Sequence, residues 1–202
     1  MAKPTFKANP IQVQVPATSA NLGPGFDSFG LAFGLYDRYV AQVLDDGGLD
    51  IDVTGEGSDD VPRTDKNLLV KAMHKGFDFL GGRPKGLAVR ALNVIPHGRG
   101  LGSSAAAIIG GLILARALVL TGSEKMSDEV LLSLASEMEG HPDNVAAAKD
   151  DDEKDEYRGD SVVSLLAGCP VHLGHTRVLD KLVYGLFRCL DIKFIIFSKN
   201  RP

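Results

Sequence analysis

Residues 96–106 read PHGRGLGSSAA and lie between a predicted strand at 87–94 and a long apolar helix pattern at 103–120. Three glycines at every second position let the backbone fold around an anion. The helix that follows offers its first free N–H groups and the positive end of its dipole to the same place. The stretch is not a dinucleotide fingerprint, because Ser103 stands where a glycine is needed, and the sequence contains no Walker A motif. The pattern therefore predicts a phosphate-binding loop of another kind.

Two serines open the helix after this loop. Ser103 and Ser104 would supply a helix cap and a hydroxyl within reach of a magnesium ion. The simpler interpretation is a glycine-rich turn followed by a serine-capped helix, and the loop alone leaves both interpretations open.

The apolar pattern on both sides of the loop predicts an α+β fold. Strand patterns occur at 11–15, 39–44, 49–53, 87–94 and 193–197, and helix patterns at 66–80, 103–120 and 127–138. Asp45-Asp46-Gly47-Gly48 predicts a hairpin turn between the second and third strands. Because strands and helices do not alternate as β-α-β-α units, we expect a mixed or mainly antiparallel sheet with helices on one side.

The composition is that of a globular protein without nucleic-acid or membrane partners. The chain has 202 residues, a net charge of −4 and scattered basic residues, which disfavours nucleic-acid binding. Its longest apolar run is shorter than the roughly 20 residues that a membrane helix needs, and its N-terminus lacks a signal-peptide pattern. Two cysteines, Cys169 and Cys189, are too few for a disulfide framework. They favour a reduced, cytoplasmic protein.

Two further stretches combine polar residues with turn signals. Residues 16–30, PATSANLGPGFDSFG, place Asn21 and Asp27 on a loop rich in glycine and proline, which suits capture of a small polar ligand. The alternative is that both side chains only stabilise turns. Residues 137–144, EMEGHPDN, crowd carboxylate, imidazole and amide groups at a helix end. A solvated helix end explains Glu137 well, but it explains the density of the other groups poorly.

Together the three stretches resemble the GHMP kinase superfamily, and within it the homoserine kinase branch. The similar segments are PATSANLGPGFDSFGLAFGLYD at 16–37, PHGRGLGSSAA at 96–106 and EGHPDNVAAA at 139–148. They follow one another in the family's order, and the resemblance covers about residues 10 to 148. The resemblance implies the N-terminal GHMP kinase fold, which is like domain 2 of ribosomal protein S5. It also implies phosphorylation of the L-homoserine hydroxyl by ATP with Mg²⁺, giving O-phospho-L-homoserine for threonine biosynthesis.

The resemblance assigns roles position by position. The ATP phosphates would be held by the loop residues Pro96, His97, Gly98, Arg99, Gly100, Leu101, Gly102, Ser103, Ser104, Ala105 and Ala106. Ser104 and Glu139 would share the magnesium ion. The L-homoserine pocket would be lined by Asn21, Asp27, His141 and Asp143, with Asp27 facing the ammonium group. Asn144 would lie near the reacting hydroxyl, and because an asparagine cannot accept a proton, catalysis would rest on positioning and charge neutralisation. Asp143 acting as a base is the competing hypothesis.

After residue 148 the sequence departs from the family pattern. Residues 149–160, KDDDEKDEYRGD, contain seven acidic and three basic residues and predict an exposed loop or linker. We therefore expect an ATP-binding domain at 1–148, a divergent segment at 149–202 and no C-terminal GHMP domain. The alternative function is a truncated or diverged relative that binds nucleotide without turnover. The expected small-molecule partner is L-homoserine. A homodimer with a second copy of the chain is left open as an alternative to a monomer.

Overall fold

The structure is a computed structural model that describes residues 3–20, 29–140, 148 and 192–196. The first six elements are β1 (Ile11–Ala20), β2 (Phe29–Leu44), β3 (Gly48–Gly55), α1 (Leu68–Phe79), β4 (Gly86–Asn93) and α2 (Ser103–Leu118). A short α3 (Gly122–Lys125), α4 (Asp128–Glu139) and a last strand, β5 (Ile192–Ile196), follow. None of the helices in these described ranges is long and apolar enough to cross a membrane.

The five strands form one mixed sheet. Its order is β1-β2-β4-β3, and β5 also pairs with β2. The β1–β2, β2–β4 and β2–β5 ladders are antiparallel, whereas β3 and β4 are parallel. The predicted α+β class and mixed sheet are confirmed, and the strand predicted at 193–197 matches β5.

The predicted hairpin is wrong, because β4 lies between β2 and β3. The Asp45-Asp46-Gly47-Gly48 turn does join the two strands, but it passes the start of β4 to reach the far edge. Gly86, the first residue of β4, permits this path, since a Cβ atom there would overlap the carbonyl of Asp46. The parallel pair β3 and β4 is connected through α1, which is the longer crossover that parallel strands require.

The helices pack on one face of the sheet. Along β4, Leu87, Val89 and Ala91 are buried against them, while Arg90 and Leu92 are exposed on the other face. This alternation is the period of two expected for a sheet with one covered face.

The central helix, α2, lies between the sheet and α1, so it is apolar on nearly every side, as predicted for a buried helix. Two adjacent glycines allow both contacts. A side chain at Gly110 would overlap the ring of Tyr39 on β2, and one at Gly111 would press into the α1 backbone at Leu69. The middle of α2 therefore packs closely against both the sheet and α1.

Candidate active site

The glycine-rich loop, residues 96–102, connects β4 to α2. Gly98, Gly100 and Gly102 have φ angles of 66°, 71° and 70°, in the left-handed region that favours glycine. At Gly98 and Gly100 an added side chain would have space, whereas at Gly102 it would overlap Thr18 of β1. The alternating glycines thus turn an exposed loop tightly onto the start of α2.

Both ends of this loop are held by residues of the sheet. At the leading end, Val94 N and Ile95 N donate to Asp37 Oδ1 of β2 at 2.6 and 2.9 Å. At the trailing end, Thr18 N donates to the Leu101 carbonyl at 2.9 Å. The side chains of Asp37 and Thr18 are buried, with 1% and 0% of each residue exposed. The loop therefore spans two fixed points.

The start of α2 differs from the prediction that a serine caps it. The capping position is Gly102, which has no side chain, and Ser103 and Ser104 are already helical. The first amide to bond within the helix is that of Ala106, which donates to the Gly102 carbonyl at 2.9 Å. The N–H groups that precede Ala106 in the first turn have no carbonyl within the helix to accept their hydrogen bonds. They and the positive helix end face the loop, which is the arrangement that binds phosphate groups.

Ser104 meets Glu139 at the end of α4. Ser104 Oγ donates to Glu139 Oε1 at 2.5 Å, so two residues 35 positions apart present oxygen atoms beside the open end of α2. Such hard oxygen ligands suit Mg²⁺, which usually keeps several waters and takes one or two protein carboxylates together with substrate phosphates. No group of three or more His, Cys, Asp or Glu side chains within the described part of the chain is placed to hold a metal. The pair fits a magnesium site completed by water and phosphate.

A cavity of about 310 Å³ lies beside the loop, between the starts of α1 and α2. Its lining residues come from three parts of the chain. They are Asp37, Tyr39, Val53, Ala91 and Asn93 of the sheet, Val61, Pro62, Lys66, Asn67, Leu68 and Leu69 around the start of α1, and His97, Ser103, Ser104 and Ala107 of the loop and α2. The His97 ring lies against Gly57, where a side chain would overlap it. His97, which the resemblance places among the ATP-loop residues, thus forms part of the cavity wall.

Two buried groups in the cavity wall, Asp37 and Tyr39, have raised pKa values. Burial raises the pKa of the Asp37 carboxyl, while hydrogen bonds from the Ile95 and Val94 amides and the Tyr39 hydroxyl, together with the charge of His97, oppose that rise. Burial and the adjacent Asp37 carboxylate also raise the pKa of Tyr39 well above its ordinary value. Tyr39 therefore stays a hydrogen-bond donor to Asp37, at 2.8 Å.

The structure brings together the described ends of all three stretches that the sequence singled out. Thr18 of the first contacts Leu101 of the second, and Ser104 of the second contacts Glu139 of the third. Asn21, Asp27, His141, Asp143 and Asn144 lie outside the described residues, so their roles stay predictions.

Sequence reasoning assigned no role in the site to Asp37, Lys66, Asn67 or Asn93, which all line the cavity. Asn67 alone carried a local signal, since an asparagine just before an apolar helix pattern is typical of an N-cap. The other three are brought to the cavity by the strand order and by the loop before α1, which no local pattern reports.

A mixed sheet with a glycine-rich loop at the start of a buried helix is an arrangement suited to binding phosphate groups. Residues 67–149 match the family described as GHMP kinases N terminal domain. The chain carries this domain, as its three motifs indicated.

Within that family the chain is homologous to homoserine kinases. It is 58% identical over 147 residues to the homoserine kinase of Streptomyces coelicolor, covering 73% of this chain and 47% of the relative. The enzyme of Mycobacterium tuberculosis is 55% identical over 135 residues, covering 66% of this chain and 42% of the relative. The chain spans about half the length of the curated relatives that it matches.

Solved structures agree on the fold. The crystal structure of homoserine kinase from Cytophaga hutchinsonii aligns with a TM-score of 0.58 and 30% identity, over 72% of this chain and 47% of that one. A mevalonate kinase from L. major aligns with a TM-score of 0.54 at 17% identity, over 74% of this chain and 49% of that one. At that identity the second likeness concerns the fold alone.

Proposed function

We propose that this chain provides the nucleotide-binding site for ATP-dependent phosphorylation of the L-homoserine hydroxyl, giving O-phospho-L-homoserine for threonine biosynthesis. The observation that carries the proposal is the convergence of the three motifs at the start of α2. Glu139 of the third motif contacts Ser104 of the loop, while Thr18 of the first motif contacts Leu101. These contacts support a common site for the residues that would hold the ATP phosphates and the metal ion. The homoserine kinases that match this chain support the choice of substrate.

ATP would bind with its phosphates in the loop and its base in the adjacent cavity. The amides of the loop and of the first turn of α2 would donate to phosphate oxygens. The cavity offers apolar walls from Val53 and Leu69 and polar groups from Lys66, Asn67 and His97. This mixture of apolar surface with a few polar groups is typical of sites for small molecules.

Ser104 and Glu139 would hold Mg²⁺. When bound, the ion neutralises charge on the transferring phosphate. Ser104 lies in the first turn of α2, so its hydroxyl sits beside the amides that would bind the phosphates. The same short segment would then orient both groups.

The acceptor side of the site rests on the sequence resemblance. Asn21, Asp27, His141 and Asp143 would bind L-homoserine, and Asn144 would lie near its hydroxyl without accepting the proton. Phosphoryl transfer tolerates this, because most of its catalysis is positioning and electrostatic stabilisation. We rank Asp143 as a base second. We also propose the domain division at residue 148, a cytoplasmic location and a homodimer as an alternative to a monomer.

A coupled ADP-release assay with and without L-homoserine tests the function. ADP release that depends on L-homoserine, with O-phospho-L-homoserine as product, supports the kinase reaction. ATP binding without such release supports the second candidate, a relative that binds nucleotide without turnover. For the 202 residues alone we expect ATP binding with little ADP release, because they span about half the length of the matched relatives, and a chain that does not bind ATP would contradict the proposed nucleotide site. Losing groups that position a substrate can cost orders of magnitude in rate.

A further inference from the structure

The leading end of the glycine-rich loop is fixed by a side chain at a place where the sheet ladder ends. Along one edge of β2, residues Phe29 to Phe33 pair with β5, and the ladder with β4 begins at Arg38. Asp37 lies just before that ladder. Beyond Asn93 the chain leaves β4 for the loop, and the Asp37 carboxylate receives the next two amides, Val94 N at 2.6 Å and Ile95 N at 2.9 Å.

The carboxylate of Asp37 is buried and has three donors. The two amides share Oδ1, and the Tyr39 hydroxyl donates to Oδ2 at 2.8 Å. Only 1% of Asp37 is exposed, and a carboxylate in such a place is tolerated only when its oxygens are hydrogen bonded. These charge-assisted bonds are about twice as strong as bonds between neutral groups. Asp37 therefore holds the two amides firmly.

The two amides held by Asp37 immediately precede Pro96 and the glycines. The loop glycines can adopt many backbone conformations, so their orientation depends on where the loop begins and ends. The trailing end is fixed by Thr18 and by α2. Asp37 also lines the cavity beside His97 and Ser103.

We propose that Asp37 is a positioning residue for the glycine-rich loop, whose carboxylate sets the direction in which the loop amides point. The proposal that this improves ATP binding rests on the proposed function. The effect on the loop itself does not depend on it. Asp37 acts through the backbone of Val94 and Ile95 and does not contact the phosphates in this assignment.

The test uses Asp37→Asn, which keeps the size of the side chain and removes the charge. Two measurements are made on the whole chain: hydrogen exchange of the Val94 and Ile95 amides that lead into the loop (loop exchange), without nucleotide, and the dissociation constant of ATP with Mg²⁺. We expect the Val94 and Ile95 amides to exchange about tenfold faster in the variant, and ATP to bind about tenfold more weakly, since two charge-assisted bonds become neutral. Exchange within α1 stays unchanged.

Two control variants separate this effect from others. Asp78→Asn removes an equal charge from an exposed pair with Arg83, far from the loop. Phe77→Leu weakens the core at the edge-to-face contact with Phe6 and lowers stability without altering the loop ends. Neither control is expected to change loop exchange more than twofold.

The outcomes are distinct for the two proposals. If Asp37→Asn only lowers the urea midpoint, and loop exchange matches that of Phe77→Leu, the positioning role is overturned. If the unaltered chain does not bind ATP, the proposed function fails, while loop exchange in Asp37→Asn still decides the positioning role. Faster loop exchange with unchanged ATP affinity would support the positioning of the loop by Asp37 and overturn the proposal that this positioning improves ATP binding.

Discussion

The starts of α1 and α2 line the same cavity, but they differ in whether a side chain caps the free backbone amides of the first turn. At α1 the Asn67 side chain accepts from the amides of Leu69 and Val70, at 2.9 and 3.4 Å, and donates to the Pro62 carbonyl. At α2 the capping position is Gly102, which has no side chain, and the first-turn amides face the glycine-rich loop. A helix start closed by its own side chain adds stability, whereas an open one is available to a ligand. The difference favours the start of α2, rather than that of α1, as the place where we propose that phosphate binds.

The strongest way to break this contrast is Gly102→Ala. A side chain there overlaps Thr18, and the φ angle of 70° is unfavourable for alanine. We expect a loss of about 2–4 kcal/mol in the free energy of unfolding, from backbone strain and a steric clash, and no measurable ATP binding. Urea unfolding and nucleotide titration measure the two effects.

Gly98→Ala is the matched control for Gly102→Ala. Gly98 has nearly the same φ angle, 66°, but an added side chain meets no atom within 4 Å. It should cost only the backbone strain, about 1–2 kcal/mol. Equal losses in the two variants would mean that contact with Thr18 does not fix the end of the loop.

Ser104→Ala tests the open helix start as a metal site. The hydroxyl bonds to Glu139 at an exposed position, so its removal should lower unfolding stability by less than about 1 kcal/mol. Loss of a magnesium ligand should instead weaken magnesium-dependent ATP binding about tenfold, as changes near a metal site commonly do. Titrations with and without Mg²⁺ measure this difference.

Ser103→Ala is the control for the neighbouring hydroxyl, and it should leave the dependence on Mg²⁺ intact. If Ser104→Ala binds ATP with unaltered magnesium dependence, the hydroxyl is only a surface hydrogen-bond donor to Glu139.

The closed helix start is tested by Asn67→Ala. Loss of a helix N-cap costs about 0.5–2 kcal/mol, and the buried position of Asn67, 3% exposed, favours the upper half of that range. The exposed cap of α4, where Ser127 accepts from the Val130 amide at 3.4 Å, offers a comparison. Ser127→Ala should cost less, about 0.5 kcal/mol, in the same urea experiment. Equal costs would contradict the distinction drawn from burial.

Local patterns in the sequence were enough for much of the fold. The helices around residues 66–80 and 127–138 were predicted because their apolar spacing is a local signal, and they correspond to α1 and α4. The hairpin failed because a turn signal fixes a change of direction but not which strand lies alongside. The order β2-β4-β3 is set by packing across the sheet.

In the candidate site, too, the features formed by contiguous residues were predicted and those formed by distant residues were not. The glycine-rich loop was visible in the sequence because its three glycines and the helix after it are contiguous. Ser103 was misjudged as a cap, since serine prefers that position, while the loop continues its left-handed turns through Gly102. Asp37 was missed because its partners, Val94 and Ile95, lie 57 and 58 residues further along the chain.

The close contact between α1 and α2 has a consequence for how this protein can vary. Gly76 lies against Ala115, and Gly111 lies against Leu69 and Ala72, so neither glycine has room for a larger side chain. In a library of all single substitutions, Gly76 and Gly111 should therefore tolerate fewer replacements than the other positions where the two helices meet. Variation at the cavity is open instead to the loop before α1, where the exposed side chains of Pro62 and Lys66 line it.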